Sequence, residues 1–186
     1  MITLFFFTFA NDKHDIMENK EELLKQLNSD NPELFAEAAE KIKNEGDLSI
    51  VPALFDLLAS GKEHHTTTEI VNLLADIKNS GFVPLLTERI KATSQPAAKS
   101  ILLRICWESS LDFSAYAEDF INMLRQDDFI VALEAATALE NMEHIPHNRK
   151  ITLLSQLKQI CTTNEKQFLI DNILNAWSQE EEEQED

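Results

Sequence analysis

A short apolar pattern recurs along this chain at nearly constant spacing. The segment IVPALFDLL carries Pro52, and FVPLLTERI repeats it with Pro84 in the same place. Fainter copies, EDFINML and TLLSQLK, follow. Aligned on one position, the four copies are 32, 34 and 34 residues apart at Pro52, Pro84, Glu118 and Thr152. A recurrence of this length is typical of helical solenoids, in which each unit covers the apolar face of its neighbour.

The composition favours helix over strand. Among 186 residues there are only three glycines and five prolines, and 44% are hydrophobic. Leucine, alanine, glutamate and lysine are common, and all of them are good helix formers. The length is sufficient for one domain with a sizeable core. We therefore predict an all-α protein.

The charge balance bears on possible partners. The chain has 33 acidic and 16 basic side chains, which gives a formal net charge of −17. Because nucleic-acid and anionic-lipid surfaces are bound through clustered Lys and Arg, we expect no nucleic acid and no membrane among the partners. Cys106 and Cys161 lie in helical patterns without disulfide or metal spacing. Buried free thiols in a reducing compartment are expected, which suggests the cytoplasm.

Three segments are predicted along the chain. Residues 1–16 form an apolar N-terminal segment of doubtful status, too short to span a bilayer and without a basic leader. One interpretation takes Met17 as the natural start; the alternatives are an apolar arm packed on the first helix, or a signal peptide. Residues 17–178 are predicted as the helical repeat domain. Residues 179–186, with the sequence QEEEEQED, are predicted as a disordered acidic tail.

Helix-start signals and small residues define the repeats. Asn31 is the predicted N-cap of a helix that begins at Pro32. The segment DNPELFAEAAEKI aligns with DDFIVALEAATAL, so that two adjacent alanines coincide, and these would let a partner helix approach closely. We expect Trp107 and Trp177 to lie in the core. The helix Glu165 to Trp177 has no return helix and is predicted to be the C-terminal cap.

The combination of Asp-Asn-Pro or Asp-Asp, an Ala-Ala helix, a turn and Val-Pro-x-Leu-x-x-Leu-Leu resembles the HEAT repeat, a relative of armadillo. The Trp-Gly-Tyr pattern of tetratricopeptide repeats and the ankyrin Thr-Pro-Leu-His turn are absent. The resemblance implies a right-handed α-α superhelix, a HEAT-like solenoid of about four helical hairpins with capping helices at both ends. It also implies a ladder of turn acids and second-helix bases, for which the candidates are Asp47, Asp112, Lys91 and Arg125.

The resemblance implies a scaffold or adaptor that binds another protein or peptide along a concave face lined by the second helices. Positions four and seven after the aligned residue share one helix face. They give the candidate partner-binding residues Asp56, Glu88, Lys91, Asn122, Arg125, Gln156 and Gln159. The alternative interpretation is that these are only the polar sides of amphipathic helices.

Motifs for catalysis are not found in the sequence. There is no Gly-rich phosphate loop, no H-E-x-x-H and no G-x-S-x-G. His144 and His147 have a spacing that metal ligands use, but Pro146 lies between them and we expect a solvated turn. We predict no cofactor, no metal and no enzymatic activity. The alternative is a HEAT-like enzyme or enzyme accessory that acts on nucleic acid or in a protein-modification pathway.

Overall fold

The protein is all-α, as its composition predicts. The computed structural model describes residues 20–29, 31–45, 47–59, 67–160 and 163–183, and within these ranges every regular element is a helix. The apolar segment 1–16 and Cys161 lie outside the described residues. None of the described helices combines the length and the apolar character needed to cross a lipid bilayer.

Ten helices follow one another along the described chain. Helix α1 covers residues 20–27. The others are α2 Pro32–Glu45, α3 Val51–Ala59, α4 Thr67–Ala75, α5 Phe82–Ala92, α6 Pro96–Glu108, α7 Ala117–Gln126, α8 Phe129–Glu140, α9 His147–Lys158 and α10 Asn164–Glu183. Short 3₁₀ turns, Leu48–Ile50 and Ser114–Tyr116, lead into α3 and α7. The chain divides into two compact units between Leu73 and Leu74, inside α4.

In the first unit, the start of α2 follows the predicted capping. The Asn31 side-chain oxygen accepts the backbone N–H of Glu33 at 2.9 Å, and Pro32 is the first helical residue. Proline is tolerated there because an amide in the first turn has no intrahelical acceptor. The Lys20 ammonium donates to the carbonyl of Ser49 at 2.7 Å, which ties α1 to the turn before α3.

In the second unit, helix contacts form two rows. Helices α6, α8 and α10 pack in succession, and they form the first-helix row. We call α5, α7 and α9 the second-helix row. Within this row α7 packs against α9, and the Lys91–Asp119 ion pair joins α5 to α7. Between the rows, α5 packs on α6, α7 on α8 and α9 on α10. Each helix of one row thus contacts a helix of the other, so an apolar layer lies between the rows.

Helix α8 is the centre of this unit, since it packs against α6, α7 and α10. Its side chains Ala132, Ala135 and Ala136 are at most 1% exposed. Small side chains allow neighbouring helices to approach closely, which is the role predicted for the paired alanines. In the aligned pair on α2, Ala38 is fully buried and Ala39 is half-buried.

Helix α10 is anchored by Trp177, which is fully buried as predicted. Its indole N–H donates to the carbonyl of Leu139 at 3.1 Å, and the Lys150 ammonium lies 6.0 Å from the ring centroid. The helix continues to Glu183. This end lies five residues beyond the predicted end of the repeat domain at 178, and the glutamates at 180–183 have good helix propensity.

The turn between α7 and α8 is held from both sides by lysines of the first-helix row. Lys99 of α6 pairs with the carboxylate of Asp127 at 3.0 Å. Lys166 of α10 donates to the carbonyl of Leu124 at 3.2 Å and to the carbonyl of Asp127. Both lysines are therefore engaged with one turn, and they connect the two ends of the row to its middle.

Candidate functional site

Five of the seven predicted partner-binding residues lie on exposed helix faces, and the seven are divided between the two units. Asp56 is exposed on α3 of the first unit. The other six belong to the second-helix row of the second unit. There Glu88 and Lys91 lie on α5 and Asn122 and Arg125 on α7, and all four are exposed. The structure therefore brings together the candidates of α5 and α7.

The burial pattern supports the alignment of α5 with α7. Helix α5 buries Val83, Leu86, Thr87 and Ile90, and α7 buries Ala117, Phe120, Ile121 and Leu124, in each case 34 residues later. The intervening exposed positions then also correspond. Glu88 is equivalent to Asn122, and Lys91 is equivalent to Arg125.

Helix α9 departs from the predicted register by one residue. It buries Lys150, Leu153, Leu154 and Leu157, which correspond to the buried residues of α7 at a distance of 33 residues. Gln156 is consequently half-buried, and Gln159 lies just beyond the end of the helix, where it donates to Ser155 Oγ at 3.3 Å.

The exposed equivalents on α9 are different residues from those predicted. They are Ile151, Ser155 and Lys158, all exposed. We call the surface formed by these helices the second-helix face. It consists of Pro84, Glu88 and Lys91 on α5, Glu118, Asn122 and Arg125 on α7, and Ile151, Ser155 and Lys158 on α9.

Corrected for this shift, the second-helix face carries a column of cations. Lys91, Arg125 and Lys158 occupy the same register position near the C-terminal ends of three helices. Lys91 bridges to the next helix, since it pairs with Asp119 at 2.5 Å and lies 5.5 Å from the ring centroid of Tyr116. The side chains of Arg125 and Lys158 make no hydrogen bond or ion pair with any of the described residues. Their charges therefore face solvent.

The two rows differ in charge. Helices α5, α7 and α9 together carry six Lys or Arg and three Asp or Glu, a net charge of +3 with histidine neutral. Helices α6, α8 and α10 carry three Lys or Arg and nine Asp or Glu, a net charge of −6. The second-helix row is thus locally basic in a chain whose total is −17.

An ion pair joins α7 to α9 beside the cation column. The Arg149 guanidinium donates to both carboxylate oxygens of Glu118, with Nε to Oε1 at 3.2 Å, and to the carbonyl of Ala115 at 3.0 Å. These hydrogen bonds hold the pKa of Glu118 below its ordinary value of 4.5. The pair therefore contributes stability above that pH and loses its contribution as the pH falls.

We expect Glu118→Gln to lower the free energy of unfolding by about 0.2–1 kcal/mol at neutral pH, since both side chains are partly exposed. The difference from wild type should shrink as the pH falls from 4.5 through the lower pKa of Glu118 in the folded protein, below which the wild-type carboxyl group is protonated in both states. Urea unfolding at several pH values measures this.

Glu140→Gln is the control, because burial raises the pKa of Glu140. A raised pKa has the opposite sign, so the glutamate costs stability as the pH rises. Equal pH dependence in the two variants would contradict the role of the Glu118 pair.

Side-chain oxygens form the same hydrogen bond, to the backbone N–H two residues later, just before three second helices. Asp47 Oδ1 accepts the N–H of Ser49 at 2.9 Å. Asn79 Oδ1 accepts from Gly81 at 3.0 Å, and Asp112 Oδ1 accepts from Ser114 at 2.8 Å. Asp47 and Asp112 are the two ladder acids implied by the family resemblance, and Asn79 takes the corresponding place before α5. Lys91, the corresponding base, pairs with Asp119 instead of Asp112.

A pocket of about 360 Å³ lies where α6 and α8 end. Cys106 and the turns around Asp112 and His144 line it. Burial raises the pKa of the Cys106 thiol, which disfavours a reactive thiolate. His144 lies in the turn before α9 and His147 is the first residue of that helix, and both side chains are exposed. The described residues contain no group of three His, Cys, Asp or Glu side chains arranged to hold a metal ion.

The comparisons with known proteins give no further information on this site. No family model, curated protein or solved structure matches the chain.

Proposed function

We propose that this chain is a HEAT-like solenoid that acts as a protein-binding module, and that its second-helix face holds an acidic segment of a partner protein. The repeated Asx turns at Asp47, Asn79 and Asp112 support the repeat. So do the matching burial patterns of α5, α7 and α9. A superhelix of about four hairpins with capping helices is the architecture that these local repeats favour.

The observation that carries the proposal is the cation column. Three charges at one register position, two of them unpaired, attract carboxylates spaced along an extended chain. Adjacent packed helices are separated by about 8–10 Å, so the column spans roughly 20 Å, which about six extended residues cover. Ile151, two turns before Lys158 on α9, adds an exposed apolar contact on the same face. The favoured ligand is therefore a short acidic segment with an apolar side chain.

Selection of short random peptides on the immobilised protein tests the chemistry of the ligand. We expect the recovered sequences to be enriched in Asp and Glu with one or two apolar residues. Recovery of basic sequences, or of no consensus, would contradict an acidic partner.

A selected peptide then tests the location. The double substitution R125E/K158E reverses the charge of both side chains. We expect it to weaken binding of the selected peptide by roughly tenfold or more, since two attractive charges become repulsive. Titration by fluorescence anisotropy measures the Kd. The matched control, K78E/R104E, changes the net charge equally on two exposed side chains of the same unit that do not belong to this face. Equal losses in both variants would mean that only the total charge matters.

A single-stranded oligonucleotide distinguishes the competing candidate, an enzyme or accessory protein that acts on nucleic acid. Three cations can neutralise about three phosphates, which predicts a weak complex with a log–log salt slope of only about −2 to −3. If the oligonucleotide displaced the selected peptide at a lower concentration than the peptide's own Kd, the nucleic-acid candidate would replace the proposal.

A further inference from the structure

A cluster of exposed apolar side chains lies on the first-helix row, on a different surface from the second-helix face. Phe129, Ile130 and Leu133 of α8 are 37%, 55% and 40% exposed, and Phe168 of α10 is 48% exposed. The rings of Phe129 and Phe168 have centroids 6.3 Å apart, so the cluster is continuous across two helices. We call these four residues the α8–α10 patch. Contiguous exposed apolar groups of this kind mark interaction sites.

The patch is bordered by carboxylates. Asp128, the N-cap of α8, precedes Phe129 and accepts the N–H of Val131 at 3.0 Å. Glu134 lies one turn after Ile130 and accepts the indole N–H of Trp107 at 2.8 Å, and both carboxylates keep their charge because these donors are neutral. On α10, Glu165 and Asp171 lie one turn before and after Phe168. An apolar centre with an acidic border is therefore formed by both helices.

The Lys and Arg side chains of α6 and α10 bind other groups of the protein. Lys99 and Lys166 are bound to the turn between α7 and α8. Arg104 of α6 pairs with Glu108 at 2.7 Å and lies 6.0 Å from the Trp107 ring centroid. The carboxylates around the patch are therefore not balanced by nearby unpaired Lys or Arg on these helices.

We infer that the α8–α10 patch docks a basic amphipathic helix of a partner protein. The apolar centre fits the apolar stripe of such a helix, and the acidic border fits Lys or Arg on its flanks. A second copy of this chain is disfavoured as the occupant, because it would bring an equally acidic border against the first. An anionic membrane is disfavoured for the same reason. This inference does not depend on the proposed function, since it concerns another row of helices and a ligand of opposite charge.

Three helical model peptides test the inference: one of leucine and lysine, one of leucine and glutamate in the same pattern, and one of alanine and lysine with equal charge. We expect the leucine–lysine peptide to bind at least roughly tenfold more tightly than either of the others, because only it matches both features of the patch. Isothermal titration measures the Kd values. Binding of the leucine–glutamate peptide with similar affinity would overturn the inference. So would equal binding of the alanine–lysine peptide, which would reduce the effect to net charge.

Substitution then locates the binding. I130N/L133N is expected to weaken binding of the leucine–lysine peptide by roughly ten- to hundredfold, because two exposed apolar contacts are lost. Ile151→Asn is the matched control, as Ile151 is 53% exposed but lies on α9 in the other row. Phe168→Gln provides an independent variant on α10, also with a weaker Kd expected, and circular dichroism verifies that each variant folds.

Unchanged binding in I130N/L133N and Phe168→Gln would overturn the inference. Sedimentation of the wild type identifies the competing occupant. A dimer that I130N/L133N dissociates and Ile151→Asn does not would show that a second copy occupies the patch.

Discussion

Replacing Trp177 by alanine is expected to lower the free energy of unfolding of the second unit by about 3–5 kcal/mol. Trp177 is fully buried, and it is the residue through which α10 contacts Leu139 and Lys150. The substitution removes a large apolar surface and leaves a cavity that the surrounding helices can only partly fill. Urea unfolding followed by far-UV circular dichroism measures the loss, since it does not rely on tryptophan fluorescence.

Trp177→Phe separates packing from hydrogen bonding. Phenylalanine retains six of the nine indole ring atoms, so it removes the N–H and a smaller part of the apolar contact, while the Leu139 carbonyl still accepts from Met142 N at 3.2 Å. We therefore expect a loss of about 1–2 kcal/mol, smaller than that of Trp177→Ala. If Trp177→Ala cost no more than Trp177→Phe, α10 would not depend on this side chain for its anchorage.

Replacing Ala135 by leucine is the second large effect, about 2–3 kcal/mol of lost stability. Ala135 is fully buried on α8, the helix that contacts α6, α7 and α10. An isobutyl group in place of a methyl group must displace one of these helices or adopt a strained rotamer. The midpoint of urea unfolding is the appropriate measurement.

Ala97→Leu is the control for helix propensity, because Ala97 is exposed on α6. We expect its effect to remain within about 0.5 kcal/mol. A similarly small effect at Ala135 would mean that the space around α8 is loosely filled.

The features that sequence predicts well here are those with a local cause. Asn31 and Pro32 mark the start of α2 because a capping oxygen and a missing amide act within one turn. The alanines at 135 and 136 indicate a close helix contact because larger side chains would hold the neighbouring helix further away. Both signals lie in a few adjacent residues, so no knowledge of the tertiary structure is needed to recognise them.

The register of α9 could not be predicted because hydropathy and burial are inverted at its start. Lys150 is buried with its ammonium near the Trp177 ring, whereas the neighbouring Ile151 is 53% exposed. A lysine can bury its aliphatic stem while the charge finds a partner. An alignment that treats lysine as exposed and isoleucine as buried therefore shifts the helix by one residue. For this reason the sequence alignment does not identify Lys158 as the α9 residue equivalent to Lys91 and Arg125.

The α8–α10 patch also could not be predicted from the sequence. Phe168 and Ile130 belong to apolar helical patterns, and the pattern alone assigns them to the core. Which apolar residues remain exposed depends on how much of α8 and α10 the neighbouring helices cover, and this is decided by tertiary packing.

The opposite net charges of the two helix rows give the second unit an electric dipole directed from the acidic first-helix row towards the basic second-helix row. An acidic ligand and a basic ligand would experience torques of opposite sense as they approach, so each would arrive with a different side of the unit towards it. Such orientation acts over roughly the Debye length, about 8 Å at physiological ionic strength. Added salt should therefore slow both associations while changing the dissociation rates much less.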